Sequence, residues 1–500
     1  MERRNFTVLV LVGSLVGASF AIAPAVADDP PAPVPAIVTS FDGTSIAITV
    51  FEPAGLEEGE TVPVIIHSHG WSGSRTKTAG PTTTIGKMLA NGFAVVSVDA
   101  RGHGESGGFA TIHHRDVEVK DFQAVLDWIH DELDFVTKEP SSGIPKDVVA
   151  GSTGGSYGGG FQLMTSSFDH RLDALAPEIT WNDLTYSLAP NGAPKSDWLH
   201  ILYNAAKATG TRIDPNIDTW YREVMLTNDI PEAAFDHLKG SSPVPADITA
   251  DVLLIQGVPD QLFNVNEALR NYAALENGAA GDVRLFTHLS GHLLNGRTVN
   301  SNSPNVGIQP FGVGVERTTS PCGVIGDTVV AWFVEKLGTG ASSGIAEVSW
   351  ALEDGSCMTD FVAGAPAVAS IATLPAPTGA GGVLVPVLAG PATLAGVPTI
   401  SASVSGMDES ILHVGLVAVS ASGAERVVDD QSTGLRLASG ATSFEIELAA
   451  VATTLGAGDQ LFLRVDGLNE WFVTNADRSP TPVVLSDVVL TLPVGVGTSV

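Results

Sequence analysis

From about residue 36 to 340, short apolar runs alternate with stretches of helical spacing. Val62–His67, Phe93–Val98, Lys146–Ala150, Asp251–Ile255 and Val283–Phe286 are rich in β-branched residues, as strands covered on both faces of a sheet must be. Between them, Val117–Ile129 and Leu262–Leu275 repeat apolar residues at helical intervals. Strand and helix in alternation predict a mostly parallel α/β sheet. Residues 170–250 interrupt the rhythm and predict an inserted, largely helical cap. They hold Trp181, Tyr186, Trp198, Tyr203, Trp220 and Tyr221, six of the chain's thirteen Trp and Tyr. Aromatics on a cap either line a pocket for an apolar substrate or pack the cap onto the body. Trp181, Tyr186 and Trp198 are the pocket candidates.

From about 345 the period changes. Thr399–Val404 alternates strictly, and Ile411–Val419, Phe444–Leu448, Gln460–Val465 and Val483–Leu492 read as further strands between turn residues. An all-β sandwich of jelly-roll type over 345–500 is predicted. Residues 363–396, rich in Ala, Pro, Gly and Val, are expected to hold its first strands and a long loop.

Composition narrows the function. The chain has 500 residues, too many for one ordinary domain. Its formal charge of −30 argues against nucleic acid and anionic membrane surfaces as partners. A hydrophobic fraction of 44% excludes disorder throughout. Residues 1–27 read as a signal peptide: Arg3 and Arg4, an apolar run Phe6–Ile22, then Ala25-Val26-Ala27 as a cleavage site. The Arg pair also fits a twin-arginine signal, and an uncleaved anchor is the alternative. No later window is long and charge-free enough for a spanning helix. The mature chain is therefore expected to be secreted or cell-surface, with no membrane insertion after cleavage. In that oxidising setting Cys322 and Cys357 are expected to form a disulfide, two buried thiols being the alternative. No His/Asp/Glu set has metal-ligand spacing and no Gly-rich phosphate loop precedes Lys-Ser/Thr, so neither metal nor cofactor is expected.

The chemistry lies where strands end. Gly154-Gly155-Ser156-Tyr157-Gly158 fits Gly-x-Ser-x-Gly between a strand and a helical run. Such a tight turn exposes the serine hydroxyl in a strained conformation and demands small neighbours two residues either side. Serine needs a base, and the base needs an orienting carboxylate. His292 follows the strand Val283–Phe286 by a short loop; His288 is its rival, still emerging from that strand. Asp260, just past Asp251–Ile255, is the candidate acid. The order Ser, acid, His is that of an α/β hydrolase. For the oxyanion hole, the backbone N–H of Tyr157 and of Trp71, within His69-Gly70-Trp71-Ser72-Gly73, are the expected donors. The Trp71 ring alternatively only walls the pocket. Asp99-Ala100-Arg101-Gly102-His103-Gly104-Glu105-Ser106 reads as a strand-end turn in which Asp99 and Arg101 hold loop structure.

Together, His69-Gly70-Trp71, Asp99–Ser106, Gly154–Gly159, Gly257-Val258-Pro259-Asp260-Gln261-Leu262-Phe263 and Gly291-His292 resemble an α/β hydrolase. More narrowly, they resemble the cocaine esterase (CocE/NonD) and X-Pro dipeptidyl-peptidase group over roughly residues 40–495. The resemblance implies a helical cap, a closing β domain and a triad at Ser156, Asp260 and His292. Members often use a tyrosine hydroxyl as an oxyanion donor. This chain has Gly70 and Trp71 there, and no tyrosine before Tyr157. No motif for the free amine of a dipeptide is found. A secreted serine hydrolase of esters is the first expectation, with a small-molecule ester or peptide as partner. An X-Pro peptidase, a cell-wall acyltransferase and a binding protein with a degenerate core are the alternatives. Oligomeric state is left open.

Overall fold

The computed structural model describes residues 30–293, 320–376, 382–406, 409–467 and 483–499; the expected signal peptide lies outside them. The strands β1 (Val34–Thr39) and β2 (Ser45–Phe51) form an antiparallel hairpin at one edge. Next come β3 (Val64–Ser68), β4 (Ala94–Val98), β5 (Ala150–Gly155), β6 (Ala174–Glu178), β7 (Asp251–Gly257) and β8 (Val283–His288), all parallel. The spatial order is β1-β2-β4-β3-β5-β6-β7-β8. Helices cover both faces, which is why the strands read as continuous apolar runs. One face packs α2 (Glu118–Glu132), α3 (Tyr157–Ser166) and α8 (Val265–Glu276) through Phe122, Leu126, Phe161 and Leu275. The other packs α1 (Thr84–Ala90) and α9 (Ile325–Lys336) through Met88, Leu89, Val329 and Phe333.

The strand expected at Lys146–Ala150 is displaced to Ala150–Gly155. Lys146 takes a left-handed φ of 57°, which breaks the extended run before it can enter the sheet. The buried strand is instead Ala-Gly-Ser-Thr-Gly-Gly. At Gly151 a Cβ would lie 2.6 Å from the Phe333 ring and 2.9 Å from Ile65, so packing between the two faces selects a small residue there over a β-branched one.

Between β6 and β7 the chain leaves the sheet as α4 (Leu184–Leu188), α5 (Ser196–Thr209), α6 (Pro215–Thr227) and α7 (Glu232–Gly240), the helical insertion expected from 170–250. The chain's C-terminal part is all β. It comprises β9 (Val348–Ala351), β10 (Cys357–Ala363), β11 (Ala367–Ala376), β12 (Val383–Ala389), β13 (Ala392–Gly396), β14 (Thr399–Ser405) and β15 (Ser410–Val419). It continues with β16 (Glu425–Val427), β17 (Thr433–Leu437), β18 (Ser443–Glu447), β19 (Val451–Leu455), β20 (Gln460–Asp466), β21 (Val483–Leu492) and β22 (Val494–Ser499). Two antiparallel sheets, β11-β21-β14-β18 and β12-β20-β15-β16 with β17 on β15, enclose a core of Leu374, Ile400, Leu412, Leu463, Leu485 and Leu490.

Two features depart from the pattern reading. Residues 363–396 are mostly strand, and no long loop lies among their described residues. Alternately exposed Ala, Val and Leu on β11 and β12 carry no apolar/polar contrast for a period to show. Nor does hydrogen bonding stop between α9 and β9. Strand β9 pairs with β8 in parallel, and β10, β22, β13 and β19 continue the same sheet to thirteen strands. Cys322, ahead of α9, is disulfide-bonded to Cys357 at the start of β10.

Candidate active site

Ser156 sits between β5 and α3 with φ 57° and ψ −117°, a region costing a non-glycine residue about 1–3 kcal/mol. Its N–H donates to the Glu178 carbonyl at 2.8 Å, which pins the turn to β6. The two glycines flanking it have no room for a side chain. A Cβ at either Gly154 or Gly158 would lie 2.3 Å from the Ser68 carbonyl oxygen at the end of β3. The spacing seen in the sequence is therefore a packing demand of β3 on both sides of the turn.

His292, on the loop after β8, places Nε2 2.8 Å from Ser156 Oγ. Its Nδ1 lies 2.7 Å from Asp260 Oδ2, and its backbone N–H donates to the same oxygen at 2.9 Å. The other oxygen of Asp260 accepts the N–H groups of Leu262 (2.9 Å) and Phe263 (2.7 Å). Asp260 is fully buried, and four donors converge on its two oxygens. That arrangement requires a carboxylate, and a carboxylate at Nδ1 leaves Nε2 as the proton acceptor facing the serine. The structure thus brings together three residues that lie on three separate loops. The rival His288 ends β8 buried, its Nδ1 accepting the Ser290 N–H and its Nε2 3.7 Å from Glu178.

The Gly70–Trp71 turn lies against Ser156: a Cβ on Gly70 would be 3.9 Å from Ser156 Cβ. Neither the Trp71 N–H nor the Tyr157 N–H has a hydrogen-bond partner among the described residues. His69 sets the plane of this turn. Its Nε2 accepts the Ala100 N–H, so Nδ1 carries the proton and donates to the Gly70 carbonyl at 2.7 Å. That carbonyl belongs to the same peptide group as the Trp71 N–H. Burial holds the His69 imidazole below its ordinary pKa, keeping it neutral for this role. The Tyr157 carbonyl is held by His113 Nε2 at 2.8 Å, and the two rings stack with centroids 3.6 Å apart. Burial pulls His113 down to about 3. The Trp71 indole N–H reaches across to the Leu202 carbonyl of α5, so the ring ties the cap to this turn.

The cap aromatics divide. Trp198 turns onto His292, centroids 5.9 Å apart and nearly perpendicular. Trp181 is buried, fills the space at Gly160 of α3 and donates to the Ser241 carbonyl. Tyr186 lies under the Arg270 guanidinium of α8 at 4.0 Å. Those two pack the cap on the body. Phe263 falls in the Leu262–Leu275 run of helical spacing, but α8 starts only at Val265; Phe263 stays in the preceding loop and turns its ring edge to His292 at 5.2 Å. Two other contributors carry no local signal. Lys195 of the cap and Gln431 of the β part line a cleft with Trp198, Gln261 and Asn264, and both bond the loop that carries Asp260. Away from the cleft, Asp99 accepts from Arg75 and from the Glu105 N–H, and Arg101 pairs with Asp121 and Asp42. Those residues hold loops.

The sequence profile of the X-Pro dipeptidyl-peptidase (S15) family matches residues 42–294, half of the chain. Proteins named as serine esterases in Mycobacterium bovis and Mycobacterium tuberculosis are 33% identical over 107 residues. That stretch is 18% of this chain and 17% of theirs, so the chain spans about a sixth of the curated relatives it matches. A CocE/NonD family hydrolase from Staphylococcus aureus shares the fold at a TM-score of 0.67 and 14% identity, over 93% of this chain and 97% of that one. An alpha-amino acid ester hydrolase does so at 0.62 and 14%, over 96% and 100%. An aminopeptidase from a marine sediment Thaumarchaeota archaeon does so at 0.61 and 12%, over 97% and 99%. The profile match runs from the β1–β2 turn through His292, taking in each strand end described above, and the chain belongs to the X-Pro dipeptidyl-peptidase (S15) family.

Proposed function

We propose that this protein is a secreted serine hydrolase that cleaves small carboxylic esters through an acyl-enzyme, with Ser156 as nucleophile, His292 as base and Asp260 as the orienting acid. The observation that carries the reading is the unbroken chain from Ser156 Oγ to His292 to Asp260, at 2.8 and 2.7 Å. Ser156 Oγ attacks the ester carbonyl while His292 Nε2 takes its proton. The tetrahedral oxyanion accepts from the N–H groups of Tyr157 and Trp71. Collapse breaks the C–O bond, and His292 returns the proton to the departing alkoxide as an alcohol. Water, deprotonated by His292, then attacks the acyl-enzyme and releases the carboxylic acid and Ser156. The ring edges of Trp198 and Phe263 around His292 suit an apolar group beside the scissile bond. The family's own description favours a second reading, release of X-Pro dipeptides by cleavage of the peptide bond after the proline. The Cys322–Cys357 disulfide supports export, since such bonds persist in oxidising compartments. No helix among the described residues is long and apolar enough to cross a membrane.

The test is hydrolysis of a p-nitrophenyl ester and an X-Pro p-nitroanilide by the full chain and by Ser156→Ala, with fluorophosphonate labelling alongside. Ester turnover and labelling, both lost in Ser156→Ala, are expected. Turnover of the anilide alone selects the peptidase reading. Activity on neither, with no labelling, overturns both.

A further inference from the structure

The two peptide groups that hold Asp260 are themselves held from the cap. Lys195, immediately before α5, is buried, and its Nζ donates to the carbonyls of Gln261 (2.9 Å) and Leu262 (2.8 Å). The Gln261 carbonyl and the Leu262 N–H are opposite ends of one peptide group. So are the Leu262 carbonyl and the Phe263 N–H. Those two N–H groups are the donors to Asp260 Oδ1, at 2.9 and 2.7 Å. An ammonium therefore pulls on the oxygen end of both peptides whose hydrogen ends grip the acid. Hydrogen bonds in series polarise one another, and a charged donor strengthens the series. With Oδ1 gripped in this way, Oδ2 is left to the two donors of His292.

We infer that Lys195 is a positioning residue for the hydrolytic reaction: acting through the Gln261–Leu262 and Leu262–Phe263 peptides, its ammonium holds the Asp260 side chain oriented, so that the triad is complete only with the cap seated. The inference rests on the triad reading above. It also makes the cap part of the catalytic support as well as a cover. The charged groups facing Lys195 are Asp260 after β7 and Glu267 on α8. Around its cleft the cap contributes Pro190 and Trp198, and the β part contributes Gln431, Ser432 and Thr433, all uncharged. Burial pulls the Lys195 pKa down to about 8, with Glu267 and Asp260 opposing the fall. At pH 7 it is mainly an ammonium, and it loses its charge within the working range of a hydrolase assay.

The experiment is the pH dependence of kcat and KM on a p-nitrophenyl ester for the full chain, Lys195→Met and Lys195→Gln. Losing a charge-assisted support is expected to lower kcat at pH 7 by about 10- to 100-fold, with KM held within about threefold. The wild-type kcat is expected to decline on an alkaline limb near pH 8 that both variants lack. A lysine that merely tethers the cap would change melting temperature or KM and leave the limb in place. A kcat within about twofold of wild type, or a loss equal at every pH, overturns the inference. Should both variants fail to fold, the wild-type profile decides: no limb between about pH 7 and 9 overturns it. Ser156→Ala is read on the same substrate. Activity surviving there removes the triad itself, whereas an inactive Ser156→Ala beside unaffected Lys195 variants removes this inference alone.

Discussion

Asp260→Asn is the sharpest perturbation of the proposed site, because four donors meet two oxygens there. Leu262 N–H and Phe263 N–H point at Oδ1, and the N–H and Nδ1 of His292 point at Oδ2. An asparagine amide offers one oxygen, so its NH2 must face a pair of donors in either flip. Facing the loop, it costs about 1–3 kcal/mol for buried N–H groups left unpaired. Facing His292, it is relieved only if the imidazole proton moves to Nε2, letting Nδ1 accept. Nε2 would then present a hydrogen to Ser156 Oγ across the 2.8 Å contact and have no lone pair to take the serine proton. The expected loss is about 10⁴-fold in kcat, near 5.5 kcal/mol, with KM almost unchanged. Stopped-flow hydrolysis of p-nitrophenyl acetate measures it, and residual activity should rise with hydroxide concentration. A thermal melt run in parallel separates this from unfolding. A kcat within about tenfold of wild type would refute the assignment and make Glu178, beside His288, the next acid to test.

Two further outcomes follow from packing and burial. Gly158→Ala drives a Cβ to 2.3 Å from the Ser68 carbonyl and 3.1 Å from that of His69, so α3 must shift from β3 and carry Ser156 away from the Gly70–Trp71 turn. A displacement near 1 Å should lower kcat/KM by about 100-fold, with about 1–3 kcal/mol lost from stability; a variant with normal turnover would show that the turn is not so confined. Glu267 is fully buried, accepts the N–H groups of Asn182 and Asp183 through one oxygen, and is pushed up by burial to about 7 from 4.5. The folded state therefore holds its proton more tightly than the unfolded chain, and the stability this gives is complete below about pH 4.5 and lost as pH rises through about 7. Glu267→Gln should flatten the fall in melting temperature between those limits and gain up to roughly 3 kcal/mol above pH 8, as chemical denaturation at several pH values would measure; an unchanged slope would refute it.

Pattern reading was most successful where a feature is local. The strands at Ala94–Val98, Asp251–Gly257 and Val283–His288 run through the helix-covered sheet, so apolar continuity marked them. Helix α2 alternates a buried and a wet face and was equally legible. Strand β5 was misplaced because its residues answer to Phe333 and Ile65 across the core, and propensity contains no record of that neighbour. Among the cap aromatics, nothing in the chain distinguished Trp198, which reaches His292, from Trp181, which fills the space over Gly160.

Order along the chain sufficed to name a serine on a tight turn, an acid and a histidine, because each stands at a strand end and turn chemistry is a matter of a few adjacent residues. The supports of that trio are of another kind. Lys195 grips a loop 66 positions away, and Gln431 reaches the Asp260 carbonyl from 171 positions away. His69 holds the tautomer that aims the Trp71 N–H because Ala100, 31 residues on, donates to it. Such contacts exist once the cap, the sheet and the β part have buried their apolar faces against one another. That burial is non-directional and leaves no period in the chain from which a distant partner can be read.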